Sequence, residues 1–459
     1  MLSVFNMYKI GVGPSSSHTM GPMVAGKAFA DKILESALAG IGRIRIDVYG
    51  SLALTGAGHG TFGAILAGLE GNDPKTVDID AMHARIAELQ VGDADLRLGG
   101  KLVTPFNYIR DMKIHKDKTL SKHTNGMTFT AFDSHNKQLI SENYYSIGGG
   151  FIKTEENFDA PSSSGGATPP FPFGSWKELS ALCSREHKTV AQLLMANEKT
   201  WDTEENVRKK ILEIYGVMRE DVERGCKMEG TLPGGLGVSC RAPGLFRRIK
   251  EAAEQGRGNF QPWALVYAMA VGEQNAMGAR VVTAPTNGAA GIIPGVLAWY
   301  EQFFPETSED KIIDFILTSA AIGMLYQMNA SLAGAEAGCQ AEVGVSCSMA
   351  AGGLCAILGG DLLQIEMAAK MAMEHNLGLT CDPVGGLVQI PCIERNGMAA
   401  QRALQCAQLA LLEGEVRTLV NLDDVIEVMY RTGLDLQAKY KETSLGGLAV
   451  VVPRELTAN

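Results

Sequence analysis

Two kinds of sequence meet at Pro161-Ser-Ser-Ser-Gly-Gly-Ala-Thr-Pro-Pro170. A run of small, polar and proline residues cannot form a packed element, so it predicts an exposed linker. Strand patterns are frequent before this run, and helical patterns dominate after it. The sequence therefore predicts an α+β fold, with a small α+β domain at 1–152, a linker at 153–174 and a larger helical domain at 175–459.

The N-terminal part carries the strand patterns. Arg43-Ile-Arg-Ile-Asp-Val-Tyr49 alternates polar and apolar residues, which is typical of a strand with one buried face. Residues 127–132 and 138–146 flank a polar turn and predict a β-hairpin. The remaining predicted elements are strands near 76–80 and 96–106 and helices near 17–36 and 60–70.

The C-terminal part carries the helical patterns. Asp202-Thr-Glu-Glu205 has the spacing of a capping box before a periodic apolar run. Two charge-free stretches, 316–335 and 343–360, are long enough for membrane spans, but their polar and glycine residues favour helices buried in a soluble domain. Helices rich in Ala, Gly and Met are predicted at 261–278, 289–303, 309–335, 343–357, 362–375 and 396–413.

Length and composition exclude several classes of protein. A chain of 459 residues is too long for a peptide hormone or a disulfide miniprotein. Its 46% hydrophobic and 20% charged residues exclude wholesale disorder, and a net charge of −10 argues against nucleic acid as a partner. Nine cysteines, an odd number, and an N-terminus without a signal-peptide pattern predict a cytoplasmic protein with reduced thiols and no membrane partner.

Three glycine-containing motifs in the N-terminal part could contribute to a site. In Gly11-Val-Gly-Pro-Ser-Ser-Ser-His-Thr19, the hydroxyls either cap a helix or help its N–H groups hold an anion, and His18 adds a proton carrier. His59 lies in a glycine-rich turn, where a catalytic and a structural role are equally open. The glycines of Tyr145-Ser-Ile-Gly-Gly-Gly-Phe151 permit either close approach to a ligand or domain, or a flexible exit into the linker.

Three of the nine cysteines differ from the rest in their surroundings. Cys339, Cys381 and Cys392 lie beside glycine, proline or polar residues, so that loops could turn their thiolates toward one point, as a metal or cluster site needs. The sequence contains no C-x-x-C spacing, which argues against a zinc ribbon or a thioredoxin-like site. Cysteines inside apolar helical patterns, where the side chain acts as a small hydrophobe, are Cys347, Cys355 and Cys406.

Two polar clusters interrupt the apolar C-terminal part, Thr283-Ala-Pro-Thr-Asn-Gly288 and Met373-Glu-His-Asn376. Buried polar groups are costly unless they are paired. Each cluster therefore indicates either part of a site or a hydrogen-bond network between helices.

The motifs together resemble the iron–sulfur-dependent bacterial L-serine dehydratases, also called L-serine deaminases, in their single-chain form. This resemblance implies a [4Fe–4S] cluster in the helical domain, conversion of L-serine to pyruvate and ammonia, a preference for serine over threonine, and a homodimer. It covers nearly the whole chain and rests on Gly13-Pro-Ser-Ser-Ser-His-Thr19, Val48-Tyr-Gly-Ser-Leu52, Ser146-Ile-Gly-Gly-Gly150, Thr283-Ala-Pro-Thr-Asn-Gly288, Met373-Glu-His-Asn-Leu-Gly-Leu-Thr-Cys-Asp-Pro383 and Pro391-Cys-Ile-Glu-Arg-Asn396.

The resemblance also implies roles for individual residues. It makes Cys339, Cys381 and Cys392 the cluster ligands, and three thiolates for four irons leave one iron open as a Lewis acid. His59 is the expected base for the Cα proton, with His18 as the alternative or as a partner that orients the substrate. The residues expected to bind substrate between the domains are Ser15, Ser16, Ser17, Thr19, Thr61, Asn125, Ser146, Gly148 and Gly149.

The sequence departs from the family at Val450-Val-Val-Pro-Arg-Glu-Leu-Thr-Ala-Asn459. Several members end in a cysteine that is thought to be a fourth, displaceable cluster ligand. Here we expect the fourth iron to be open, water-bound or held by a weaker oxygen ligand from the tail. Two alternatives to the main reading are a pyridoxal-phosphate-dependent serine/threonine dehydratase, for which no lysine motif is evident, and a non-catalytic serine sensor with a structural metal site.

Overall fold

The computed structural model describes residues 2–36, 40–159, 168–258, 262–413 and 419–452. Residues 160–167 of the predicted linker and residues 453–459 of the C-terminal tail lie outside the described residues.

The N-terminal part combines a mixed sheet with helices. Its elements are α1 (Val4–Met7), β1 (Lys9–Val12), α2 (Gly21–Glu35), β2 (Ile41–Tyr49), α3 (Gly50–Thr55), α4 (Thr61–Leu69), α5 (Ile79–Gln90), β3 (Asp93–Leu98), β4 (Leu102–Asn107), α6 (Tyr108–Asp111), β5 (Met112–His115), β6 (Gly126–Asp133), β7 (Gln138–Ser146) and β8 (Ile152–Thr154). Five strands form one sheet in the order β5-β2-β6-β7-β8, in which only β5 and β2 run parallel. The predicted hairpin is β6–β7.

The C-terminal part is helical except for one short strand among the residues that the structure describes. Its elements are α7 (Trp176–Glu186), α8 (Val190–Glu198), α9 (Glu204–Gly225), α10 (Ala242–Ala252), α11 (Trp263–Ala276), β9 (Arg280–Thr283), α12 (Ile292–Phe303), α13 (Glu309–Asn329), α14 (Gly334–Ala337), α15 (Val343–Ile357), α16 (Leu362–Glu374), α17 (Cys392–Glu413) and α18 (Leu422–Asp435). The predicted fold class, a small α+β part followed by a larger helical one, is confirmed.

Helix α15 lies at the centre of the helical part, where it packs against α13, α16 and α17. Within the described ranges, α13 alone has the length and composition of a membrane span, and 78% of its apolar window is buried inside the protein. The apolar stretches at 316–335 and 343–360 therefore contribute core helices, as the sequence predicts.

Residues 2–12 pack on the helical part, not on the five-stranded sheet. Strand β1 pairs antiparallel with β9, so that Lys9 lies opposite Thr283. Val4 and Met7 are buried in the core of the helical part, and the Glu198 carboxylate accepts a hydrogen bond from the Val4 N–H at 2.8 Å. This pairing crosses the predicted domain boundary and holds the serine-rich segment that follows β1 between the two parts.

One predicted strand is wrong. Residues 76–80 form no strand, because Asp78 caps helix α5, and its side chain accepts a hydrogen bond from the Ala81 N–H at 3.0 Å. An aspartate at the N-cap satisfies a free backbone donor of the first turn, and this outweighs the β-branched residues on either side. The single strand predicted near 96–106 is a hairpin of β3 and β4, with Gly99 and Gly100 in the turn at positive φ.

The predicted capping box at 202–205 does not form, and the N-cap lies one residue later than predicted. Thr203 is the N-cap of α9, and its hydroxyl accepts a hydrogen bond from the Asn206 N–H. Asp202 lies one position too early, and its carboxylate binds Lys210 at 2.7 Å and the Asn206 side chain at 2.8 Å. The adjacent threonine and aspartate are both good caps, so spacing alone did not separate them.

Helices α2 and α4 cross very closely above the sheet. A Cβ added to Gly68 would lie 2.0 Å from the Met23 carbonyl oxygen, and one added to Gly26 would lie 2.5 Å from the Ile65 carbonyl oxygen. The neighbouring atoms belong to the backbone and cannot rotate away. Glycine at these positions therefore allows the helices that flank both histidine segments to approach each other.

We expect Gly68→Ala to destabilise the protein by roughly 1–3 kcal/mol, because the two helices must separate to admit the methyl group. The matched control is Gly216→Ala in α9, where an added Cβ meets nothing within 4 Å. That change should be neutral or stabilise the protein by about 0.5–1 kcal/mol through higher helix propensity. Urea unfolding followed by circular dichroism measures both, and equal midpoints for the two variants would contradict the close crossing.

Candidate active site

A small buried cavity lies where the two parts of the chain meet. The N-terminal part contributes Ser15 and His59 to its wall. The helical part contributes mainly acidic groups and thiols. The full lining is Pro14, Ser15, His59, Gly288, Cys339, Glu342, Val343, Cys381, Pro383, Val388, Cys392 and Glu442.

Two connections between helices bring three cysteines to this cavity: α14–α15 carries Cys339, and the connection from α16 to the first residue of α17 carries Cys381 and Cys392. Cys339 follows Gly338, which has a φ of 77°. A Cβ added to Gly338 would lie 2.7 Å from the Leu379 carbonyl oxygen, so the close approach also requires glycine. The backbone of Cys381 pairs with that of Lys441 in an isolated β-bridge, and Cys392 is the first residue of α17. All three thiols are buried. The convergence that the loop context predicts is thus present in the structure.

The other cysteines that the sequence assigned to apolar helices lie away from the cavity. Cys347 and Cys355 are buried within α15, and Cys406 is buried within α17. Cys347 donates a hydrogen bond to the Ala399 carbonyl oxygen at 3.2 Å. These thiols act as small core side chains.

Glu342 and Glu442 face the same cavity, and sequence reasoning missed both. The ligand atoms of Glu342, Cys339 and Cys381 all lie within 4.8 Å of one another. Glu442 has a φ of 57°, which a residue with a Cβ rarely adopts, and its N–H donates to the Cys381 carbonyl oxygen at 2.8 Å. One signal was available in the sequence, because Glu342 is the only charged residue between Glu336 and Asp361.

The electrostatics of the cavity favour a cationic group. Burial, with a further contribution from Glu442, raises the pKa of Glu342, and burial beside Cys339 raises the pKa of Glu442. The Cys339 side chain and burial raise the pKa of Cys381. A bound metal group would reverse these shifts by stabilising the charged forms.

The donor set also fits a thiolate-bound metal group in its chemistry. Burial raises the pKa of the Cys392 thiol, and the Cys339 thiol adds to this effect. Arg395 lies beside Cys339 and Cys392, and it donates to the Thr380 carbonyl oxygen at 2.6 Å. Several soft thiolates that converge in one cavity are the ligands typical of iron–sulfur clusters.

His59 has one ring nitrogen held and one free. The Thr55 carbonyl oxygen lies 3.0 Å from Nδ1, so Nδ1 carries the proton and donates it. Nε2 finds no partner among the residues that the structure describes. Burial lowers the pKa of His59 to about 4. The ring is therefore neutral near pH 7, with a free lone pair on Nε2 that can accept a proton.

Both ring nitrogens of His18 have partners. Nδ1 lies 2.8 Å from Ser17 Oγ and 3.6 Å from a carboxylate oxygen of Glu442, and Nε2 lies 3.0 Å from Ser51 Oγ. Burial and the neighbouring His59 lower the pKa of His18 well below 6.5. The two rings lie 4.7 Å apart between centroids. The structure thus distinguishes a histidine with a free nitrogen from one held on both sides.

The serine-rich segment is an N-terminal cap, as one of the two interpretations predicts. Ser15 Oγ accepts a hydrogen bond from the His18 N–H at 3.1 Å, at the start of the helical turn Ser16–Met20. Ser15 Oγ also lies 3.3 Å from Ser17 Oγ, and Ser16 is buried beside them. These hydroxyls lie at the free N–H groups of a helix start, which is an arrangement that can hold a carboxylate.

Thr19 and Thr61 connect the two histidine segments. The Thr19 hydroxyl donates to the His59 carbonyl oxygen at 2.7 Å, and the Thr61 hydroxyl donates to the His18 carbonyl oxygen at 2.5 Å. Both threonines are buried. Their hydroxyls are used within the protein, so the structure gives them a positioning role toward His18 and His59.

Asn125 and Ser146 lie against the serine-rich segment. Ser146 Oγ donates to the Ser17 carbonyl oxygen at 2.6 Å, and Asn125 Nδ2 donates to the Ser146 carbonyl oxygen at 3.3 Å. Asn125 Oδ1 is buried without a hydrogen-bond partner in the described part of the chain. Gly148 and Gly149 form the neighbouring turn, and both have a positive φ. Lys9 Nζ donates a hydrogen bond to the Gly149 carbonyl oxygen at 2.7 Å.

The two polar clusters of the helical part have different roles. Thr286 lies at the cavity, where its hydroxyl donates to Glu342 Oε1 at 2.8 Å. Asn376 instead joins a network between helices, because its side chain donates to the Ala372 carbonyl oxygen at 2.7 Å and lies next to Arg402. The first cluster is therefore part of the site, and the second is structural.

The cavity, lined by three thiols and by His59 from the N-terminal part, is therefore the candidate active site, and it lies between the two parts of the chain. The family model "Serine dehydratase beta chain" matches residues 3–157, and "Serine dehydratase alpha chain" matches residues 185–449. The chain is 48% identical to the L-serine dehydratase of Streptomyces coelicolor over 98% of both chains.

Other relatives give the same result. Identity is 48% to L-serine dehydratase 2 of Escherichia coli over 98% of this chain and 99% of the relative, and 45% to the L-serine dehydratase of Helicobacter pylori over 97% and 98%. This chain belongs to the serine dehydratase family, in the form that joins the beta-type and alpha-type regions in one polypeptide. The resemblance stated from its motifs is confirmed.

Proposed function

We propose that this chain is an L-serine dehydratase, a lyase that converts L-serine to pyruvate and ammonia with a [4Fe–4S] cluster. One observation carries the proposal: the thiols of Cys339, Cys381 and Cys392 and the ring of His59 line one cavity between the two parts of the chain. The names of the full-length relatives support the substrate.

Cys339, Cys381 and Cys392 would hold the cluster. When bound, the cluster would supply a Lewis acid at the iron without a thiolate, which helps hydroxide to leave. The cavity itself contributes exclusion of water, since all three thiols are buried.

We assign the base for the Cα proton to His59. Its Nε2 has a free lone pair, because the Thr55 carbonyl oxygen holds the proton on Nδ1. A base must have an available acceptor atom at the reacting group, and both nitrogens of His18 are already engaged. His18 would instead position the substrate and the serine-rich segment.

The substrate's charged groups find complementary partners around the two histidines. The hydroxyls of Ser15 and Ser17, with the backbone N–H groups of the helix start, would hold the carboxylate. Asn125 Oδ1, which has no partner in the described residues, would accept a hydrogen bond from the ammonium. Loss of water then gives aminoacrylate, which tautomerises to the imine and hydrolyses to pyruvate and ammonia without further help.

The proposal predicts about four irons and four acid-labile sulfides per chain in anaerobically purified protein, together with pyruvate formation from L-serine. Iron and sulfide analysis and a coupled pyruvate assay test both points. Turnover without sulfide would favour a pyridoxal-phosphate enzyme, which extraction of the cofactor would reveal. A metal site without turnover would favour a serine sensor.

The cellular compartment and the oligomeric state of the enzyme are part of the same proposal. We place it in the cytoplasm, because a reduced set of thiols suits that compartment. A homodimer is the expected assembly, since two-fold symmetric pairs are the commonest oligomers. Light scattering of the purified protein should give about twice the mass of one chain, and a monomer mass would exclude the dimer.

A further inference from the structure

Glu342 lies among the thiols at the start of α15. Its carboxylate and the Sγ atoms of Cys339 and Cys381 form a group in which every ligand atom is within 4.8 Å of the others. Atoms this close surround one small volume, so a metal group bound by the two thiols would lie next to the Glu342 carboxylate. The thiol of Cys392 lines the same cavity.

The surroundings of Glu342 hold its carboxylate in one orientation. The Thr286 hydroxyl donates a hydrogen bond to Glu342 Oε1 at 2.8 Å. A Cβ added to Gly334 would lie 2.6 Å from Oε2 and 3.2 Å from Cys381 Sγ, and one added to Gly288 would lie 2.9 Å from Oε1. Two glycines thus leave the space that the carboxylate occupies, and Glu342 Oε2 and Cys381 Sγ both lie next to Gly334. Ligands of metals are commonly held by such outer hydrogen bonds.

Glu442, the other carboxylate of the cavity, has different partners. One of its oxygens lies 3.6 Å from His18 Nδ1. It accepts a hydrogen bond from the Ala335 backbone and is directed to the histidine side of the cavity. Glu442 does not belong to the group of ligand atoms that Glu342 forms with Cys339 and Cys381. Glu442 also lies beside Cys339, but of the two carboxylates only Glu342 has a ligand atom within 4.8 Å of both Cys339 Sγ and Cys381 Sγ in the described residues.

We propose that Glu342 is an oxygen ligand of the metal group that Cys339, Cys381 and Cys392 hold. The inference rests on the proposed function, in which three thiolates serve four irons and one iron lacks a sulfur ligand. A carboxylate is a harder and more readily exchanged ligand than a thiolate, so it can stabilise that iron without closing it to substrate. The oxygen ligand thus comes from the start of α15.

The test uses the full-length holoenzyme with ¹³C at the side-chain carboxyl carbon of glutamate. The cluster is reduced by one electron in the frozen state, and electron–nuclear double resonance detects ¹³C coupled to it. We expect a coupled ¹³C in the wild type and in Glu442→Gln, and no such coupling in Glu342→Gln. Glutamine keeps the shape and can still accept the hydrogen bond from Thr286.

A second measurement does not depend on the spectrum. Mild oxidation should remove one iron from Glu342→Gln at least about tenfold faster than from the wild type or Glu442→Gln, because the iron has lost a ligand. The signal of the resulting three-iron cluster gives the rate.

Two results would overturn the inference: a fully loaded wild type without a coupled ¹³C, or the same coupling in Glu342→Gln. If Glu342→Gln fails to assemble, a coupling that persists in Glu442→Gln still identifies Glu342, because these are the two carboxylates that line the cavity. Absence of acid-labile sulfide from the wild type would instead refute the proposed cluster, so the two failures are distinguishable.

Discussion

Replacing Cys381 by alanine is expected to abolish both the cluster and the activity, with turnover reduced by more than about a thousandfold. Cys381 is buried in the cavity beside Cys339, and no other described cysteine outside the proposed ligand set lines that cavity. With two thiolates left, the site lacks the donors that a four-iron cluster needs. Iron, sulfide and pyruvate measurements on anaerobically purified protein check the result.

Cys355→Ala is the matched control. Cys355 is also a buried cysteine of the helical part, but it lies near the end of α15, where it contacts Gly360. Its loss should leave cluster content and turnover unchanged and cost about 1–2 kcal/mol of stability for a small cavity. Equal loss of cluster from the two variants would refute the ligand assignment, and circular dichroism shows whether both remain folded.

His59→Ala is expected to lower kcat by roughly 10²–10⁴-fold while the protein keeps its iron and sulfide. The physical reason is the free Nε2, which Thr55 leaves unprotonated by holding the proton on Nδ1. Because burial keeps the ring neutral to about pH 4, the wild-type rate should not fall between pH 8 and pH 6 through protonation of His59. Steady-state kinetics with L-serine at several pH values measures both effects.

His18→Ala provides the informative comparison. Its ring is held by Ser17 and Ser51, so its loss should disturb the serine-rich segment and raise KM more than it lowers kcat. His135→Ala, in the exposed turn between β6 and β7, should leave both constants unchanged. A larger loss of kcat in His18→Ala than in His59→Ala would contradict this assignment and indicate that His18 is the base.

Several features of the fold could be predicted because they depend on local patterns. The period-two alternation at 43–49 indicates that one face of β2 is buried. The charge-free stretch at 343–360 indicates that α15 is buried on all sides. Caps were harder, since Asp78 and Thr203 had to be distinguished from neighbours that are equally able to accept a hydrogen bond.

Pairings between distant segments could not be predicted. Strand β1 pairs with β9 across some 270 residues, as Lys9 opposite Thr283 shows. Periodicity identifies which side of an element is buried, but it contains no information on which element covers that side. The same limit applied to the two carboxylates, because neither Glu342 nor Glu442 belongs to a motif whose spacing indicates a site.

By itself, the sequence determined the two-part fold, the family, and the separation of three loop cysteines from those in core helices. These features depend on each residue's immediate neighbours, which the sequence displays directly. The tertiary structure decided which histidine has a free nitrogen and which carboxylate lies within 4.8 Å of two thiol sulfurs. Those properties depend on single hydrogen bonds, His59 to Thr55 and Thr286 to Glu342, and such bonds exist only once distant segments are packed together.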